Sequence, residues 1–110
     1  MTTDDGYILQ VYRLTTGEDT SSLPPVYFQH GSQASAMCWV ANKSKSAPFQ
    51  LANAGYDVWV ANARGCSFSM MHKYLDPEAD LQYWDFCFED IGKYDTKAII
   101  EYIKEKNQHE

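Results

Sequence analysis

The 110-residue sequence is short of positive charge: nine Lys and Arg stand against fifteen Asp and Glu, a formal net charge of −6, and the basic residues form no cluster. Nucleic-acid binding leans on Lys and Arg neutralising phosphates, which argues against nucleic acid as a partner. An anionic membrane surface is disfavoured on the same ground. No apolar run approaches the ~20 residues that a membrane-spanning helix requires. The opening stretch Met1-Thr2-Thr3-Asp4-Asp5-Gly6 is polar and acidic. It has neither the basic nor the apolar region of a signal peptide, so the chain as written carries no export signal, although a mature or truncated product would look the same. Cysteine is sparse and odd in number (Cys38, Cys66, Cys87). With no CxxC pair and no Cys/His spacing of a zinc site, no metal is expected. The three cysteines read as small buried apolar side chains; a single disulfide with one thiol left over is the alternative in a secreted chain. Internal repeats, low-complexity tracts and interdomain linkers are also absent, so residues 1–110 read as one domain at most.

What is present is a globular composition, 45% hydrophobic and 15% aromatic, able to bury a core. After an Asp4-Asp5-Gly6 turn, the alternation of Tyr7, Leu9, Tyr12 and Leu14 with polar residues predicts an edge strand over 7–14. Residues 15–25, rich in Thr, Ser, Gly and Pro, read as a loop. Val26-Tyr27-Phe28 is continuously apolar, as in a strand covered on both faces, and Gln29-His30-Gly31-Ser32 turns out of it. A helix is expected from about Ala47-Pro48 to Ala54-Gly55, with Pro48 in its first turn and Gly55 as a left-handed cap. Tyr56 to Ala61 is the second buried strand, and 66–82 reads as an irregular surface excursion. Phe86, Phe88, Ile91, Tyr94, Ile99, Ile100, Tyr102 and Ile103 recur at three- and four-residue steps. That predicts a long final helix with Lys93, Lys97, Lys104 and Lys106 on its other side and a restart or kink at Asp95-Thr96. Strand–helix–strand–helix with short links predicts an α/β fold with a parallel sheet.

Thr3-Asp4-Asp5-Gly6-Tyr7, Phe28-Gln29-His30-Gly31, Ala52-Asn53-Ala54-Gly55-Tyr56-Asp57-Val58-Trp59, Asn62-Ala63-Arg64-Gly65, Tyr83-Trp84-Asp85-Phe86 and Lys93-Tyr94-Asp95 follow one another in an order and spacing that resembles the acid lipase family, the gastric and lysosomal lipases of the α/β-hydrolase fold. The resemblance covers nearly the whole chain. It implies a partial α/β-hydrolase fold: the N-terminal strands and helices, with the central nucleophile strand missing. It also implies cofactor-free hydrolysis of acylglycerols and sterol esters by a Ser-Asp-His triad, in a protein that is secreted or lysosomal. The oxyanion-hole turn then falls on His30, Gly31 and Ser32, with Ser32 contributing a backbone N–H where the family usually has an apolar residue. Asn62-Ala63-Arg64-Gly65 matches a turn that looks structural. The G-x-S-x-G elbow would come after residue 110, the acid and base further on, and a short segment would precede Thr3. On this reading the 110 residues contain no catalytic triad residue and are inactive alone, and a lipid ester is a substrate only once the chain is completed.

Other sites are weaker. Ser32 as nucleophile would place His30 two residues before it, where the strained elbow needs a small residue. Ser67 has Gly65 before it, but Ser69 stands where the second glycine belongs. His30 reads as structural, and His72 and His109 as solvated. Asp4-Asp5 and Glu89-Asp90 read as a turn and as favourable charge near a helix start. The cluster Tyr83, Trp84, Phe86 and Phe88 reads as core packing, with a lipid-facing patch as its alternative. The competing function is a non-catalytic structural or binding subunit, in which a protein partner covers an open sheet edge lined by Val26, Val58 and Val60.

Overall fold

The computed structural model describes residues 1–109. Its elements run β1 (Tyr7–Ile8), β2 (Val11–Leu14), β3 (Pro25–Gln29), α1 (Met37–Val40), α2 (Ala47–Asn53), β4 (Asp57–Ala61), β5 (Met71–His72), α3 (Phe88–Asp90) and α4 (Lys97–Lys106). All five residues of β4 are buried, which a strand achieves only with neighbours on both sides and layers on both faces. The larger sheet has the order β2-β4-β3. β3 runs parallel to β4, with Val26 opposite Val58 and Phe28 opposite Val60, while β2 runs antiparallel to it.

Alternation along β4 divides the core in two. Val58 and Val60 pack with Ala36, Ala52, Phe28 and Trp39 beneath α1 and α2. Trp59 and Ala61 pack with Leu9, Tyr83, Ile99 and Ile103 beneath α4. The expected helix over 47–55 is present, with Pro48 in its first turn and Gly55 at φ +91°. The lysines at 93, 97, 104 and 106 are exposed, as their periodicity requires.

Several expectations are corrected. The sheet is mixed rather than parallel, because the period-2 pattern of β2 is that of a half-exposed antiparallel edge. The strand expected over 7–14 breaks at Leu9-Gln10: β1 pairs with β5, a two-residue strand inside the supposed excursion, too short to carry a periodicity. Val58 and Val60 lie on central β4 and only Val26 on an edge strand. Cys38 and Cys87 are exposed, Cys66 is half-buried, and all three are free thiols. The aromatic cluster splits: Tyr83 is fully buried, whereas Trp84 is 45% and Phe88 81% exposed. The final helix does not simply kink. Ile91–Thr96 widens into a π-helical turn between α3 and α4, and the Thr96 hydroxyl donates to the Ile91 carbonyl five residues back. His72 is half-buried rather than solvated, its Nδ1 accepting from the amides of Tyr74 and Leu75. The His109 side chain is exposed.

Candidate functional site

Because β3 and β4 are parallel and in register from Pro25–Asp57 to Gln29–Ala61, the loops that follow them leave the sheet on the same side. Ligand clefts of open α/β sheets form at such carboxyl ends. Here the two loops and an apolar wall of Trp84, Phe86 and Phe88 enclose a cleft of about 460 Å³, closed below by the π-turn residues Ile91, Gly92 and Thr96.

His30, Gly31 and Ser32 all line this cleft. The Ala63 amide donates to His30 Nε2 at 3.0 Å. With that lone pair taken, the neutral ring carries its proton on Nδ1, which lies 2.8 Å from the Gly31 carbonyl and donates to it. His30 therefore staples the β3 turn to the β4 turn and has no free nitrogen to serve as a base. His30→Ala leaves the Ala63 amide buried without an acceptor, and we expect a loss of about 1–3 kcal/mol in urea unfolding; a loss below about 0.5 kcal/mol would show that the staple carries no weight.

Beyond the histidine, the chain makes a tight turn closed by the Ala34 amide donating to the Gly31 carbonyl at 3.2 Å, with Gln33 at φ +60°. Ser32 is exposed, and its amide donates to no protein acceptor among the described residues. The β4 turn is held residue by residue. Asn62, fully buried, accepts from the Ala36 amide at 2.9 Å and so fixes the far end of the Ser32 turn. The Asn62 amide donates to the Gln10 carbonyl where β1 passes to β2. Gly65 sits at φ +77°, and a Cβ there would lie 2.9 Å from Phe86 Cζ, so glycine lets the aromatic wall close on the turn. Ser67 is exposed. Ser69 is buried, donating to the Asn62 carbonyl at 2.9 Å and accepting from the Gln10 amide. No serine hydroxyl bonds an imidazole nitrogen among the described residues.

Arg64 anchors the floor. Its side chain is 1% exposed and lies 3.8 Å from the Tyr7 ring centroid. Nη1 and Nη2 fork onto the Asp5 carboxylate at 2.6 and 2.9 Å, and Nε donates to Asp95 Oδ1 at 2.7 Å. The Arg64 backbone amide donates to Asp95 Oδ2 at 2.8 Å. Burial raises the Asp95 carboxyl above the ordinary carboxylate range despite these bonds. Burial also presses upward on Asp5, but the bonds from Arg64 and Thr3 outweigh it and hold that carboxyl low. Asp5 read as a turn residue and Asp95 as the restart or kink of the final helix; the only signal of their pairing was an arginine in the turn just beyond a buried strand. Among the described residues no group of three or more His, Cys, Asp or Glu side chains is placed to hold a metal ion.

Residues 1–43 match a family model described as the partial alpha/beta-hydrolase lipase region. Over 113 aligned positions the chain is 44% identical to gastric triacylglycerol lipase of Rattus norvegicus, an alignment covering 98% of this chain and 28% of that lipase. Identity to Lipase member K of Homo sapiens is 44%, covering 96% and 28%. For Lipase lipl-1 of Caenorhabditis elegans it is 41%, covering 92% and 26%. The chain thus spans under a third of the length of these relatives.

Proposed function

From the homology of this chain to the gastric and lysosomal acid lipases, we propose that residues 1–110 are one incomplete region of an α/β-hydrolase that cleaves carboxylic esters of lipids, acylglycerols or sterol esters. Within it, His30, Gly31 and Ser32 form the oxyanion-hole turn. The observation that carries this reading is the Ser32 amide, unpartnered at the rim of a largely apolar cleft. A preorganised N–H aimed where negative charge develops stabilises a tetrahedral intermediate, and it costs no reorganisation during the reaction. The His30 staple and the Asn62–Ala36 bond hold the two ends of the turn that presents it. Trp84, Phe86 and Phe88 supply the wall against which an acyl chain would lie.

These 110 residues alone are not expected to hydrolyse esters, since neither Ser32 nor Ser67 meets a histidine. The test belongs in the complete polypeptide. Ser32→Pro deletes the N–H and should lower kcat on a triacylglycerol by about 10²–10³-fold, the measured worth of one oxyanion donor. Ser32→Ala keeps the N–H and should leave kcat within about threefold, which also separates a backbone donor from a nucleophile. Equal rates for Ser32→Pro and wild type would sink the assignment.

A second reading rests on β3. Its outer edge pairs with no strand among the described residues, and Val26–Gln29 are half-buried where β4 is fully buried. An unpaired edge of this kind is a template for another strand. In the hydrolase reading that strand comes from the rest of the same polypeptide. In the alternative it comes from a protein partner in a non-catalytic assembly, and co-purification of the 110-residue chain with a larger complex would favour it.

A further inference from the structure

The chain has four asparagines, at 42, 53, 62 and 107, and only Asn42 begins an Asn-x-Ser/Thr triplet, Asn42-Lys43-Ser44. The middle residue is not proline, which satisfies the acceptor rule for asparagine-linked glycans. Such a triplet is used only where the amide can be reached, so its place in the fold decides whether the match means anything.

Asn42 lies in the link between α1 and α2, and residues 41–45 are all exposed. Neither the Asn42 amide group nor the Ser44 hydroxyl bonds another protein group among the described residues. The link is held by the short-range backbone bonds Ala41 to Met37, Lys45 to Asn42 and Ser46 to Lys43, and by the Gln50 side-chain amide donating to the Lys45 carbonyl. Lys43 takes φ +51°, which turns the chain sharply at the triplet. By contrast, Asn62 and Asn107 are buried and engaged with their neighbours. No residue of the link lines the cleft, so a glycan there leaves the cleft mouth free.

We propose that Asn42 is an N-glycosylation site. In the transfer, Asn42 Nδ2 forms a bond to C1 of the first sugar of a lipid-pyrophosphate-linked oligosaccharide. The C1–oxygen bond to pyrophosphate breaks, the lipid pyrophosphate leaves with the electron pair, and the amide gives up one proton. The donor faces the lumen of the endoplasmic reticulum, so the proposal carries passage through that compartment with it. It does not depend on ester hydrolysis in the cleft.

The test uses the complete natural polypeptide produced in cultured animal cells. Treatment with a glycan amidase in heavy-oxygen water should convert Asn42 to labelled aspartate in the peptide that contains it. The accompanying gel shift should shrink by one glycan in Asn42→Gln and in Ser44→Ala but stay full in Ser44→Thr, which keeps the hydroxyl; both positions are exposed and their side chains engage no partner among the described residues, so these changes leave the fold intact. Recovery of Asn42 as unlabelled asparagine would overturn the proposal, whether or not other positions carry sugar. An ester-hydrolysis assay on wild type and Asn42→Gln separates the two readings: absent hydrolysis with a labelled Asn42 removes only the enzyme, and the reverse result removes only the glycan.

Discussion

Arg64→Met should destabilise the protein by about 3–5 kcal/mol, because removing one partner of a buried ion pair leaves the other charge uncompensated. Asp95 is fully buried, and Arg64 is the only cation bonded to it among the described residues. Methionine fills much of the space over the Tyr7 ring, so the loss measures charge rather than a cavity. Arg64→Lys should fall between the two, since an ammonium cannot reproduce the fork onto Asp5 together with the Nε bond to Asp95. The pH dependence has a definite sign. The folded-state value of Asp95 is raised, so its contribution to stability is fully present below the unfolded value and is lost as pH rises through the folded one. Without the guanidinium only the backbone amide of residue 64 still favours the charged form, and the cost of Arg64→Met should grow from acid to neutral pH. Asp95→Asn in the Arg64→Met background should recover part of the loss, giving a coupling energy of about 1–3 kcal/mol in a double-mutant cycle. Urea unfolding of the four proteins decides it; an additive cycle would mean that the pair is not coupled.

The same pair explains what the sequence could and could not disclose. Periodicity exposed the lysine face of α4, because burial on a helix repeats at a fixed interval and leaves a pattern in the chain, while β4 showed as a buried apolar stretch and α2 through Pro48 in its first turn and Gly55 at its cap. The π-turn left none. Its form is tied to Asp95 reaching Arg64, a partner 31 residues away, and a one-residue widening shifts the apolar register by too little to notice. β5 was hidden because two residues cannot display an alternation. The free thiols at Cys38 and Cys87 were misplaced because cysteine's usual burial is a tendency of the residue type, whereas here Cys38 lies on α1 and Cys87 caps the start of α3, both exposed to solvent. In the cleft, the turn His30-Gly31-Ser32 was legible through its resemblance to a family, but the role of His30 as a staple followed only from the amide that points at it. Residue type told which groups could do chemistry; the partners they had already engaged decided which were free to.

Asp57→Ala should cost a comparable amount, about 3–5 kcal/mol, and its penalty should also grow from acid to neutral pH, although this carboxyl is shifted the other way from Asp95. This carboxylate at the start of β4 is fully buried and gathers donors from four parts of the chain. Arg13 of β2 binds it through Nε at 2.7 Å and Nη2 at 3.0 Å. Thr20 of the 15–25 loop, Trp59 of β4 itself and Asn107 at the end of α4 complete the set. Burial presses its carboxyl upward, but the bonds from Arg13, Asn107, Trp59 and Thr20 outweigh it and hold it below the ordinary range. A depressed value means stability that is present above the unfolded pKa, near 3.9 for aspartate, and that disappears as pH falls through the folded one. The penalty for Asp57→Ala should therefore be greatest near neutral pH and shrink in acid only below about pH 4. Asp57→Asn should be nearly as damaging, because its amide NH₂ turns a donor toward Arg13 and Asn107, which are donors themselves. Denaturation of both variants across this range gives the answer. A penalty that does not change with pH would mean that packing, not the charge, ties β2, the loop and α4 to the central strand. A penalty that falls in acid would place one carboxylate at the junction of all three, and would make Asp57, at the start of β4, the opposite in shift to Asp95, which reaches Arg64 beyond the strand's far end.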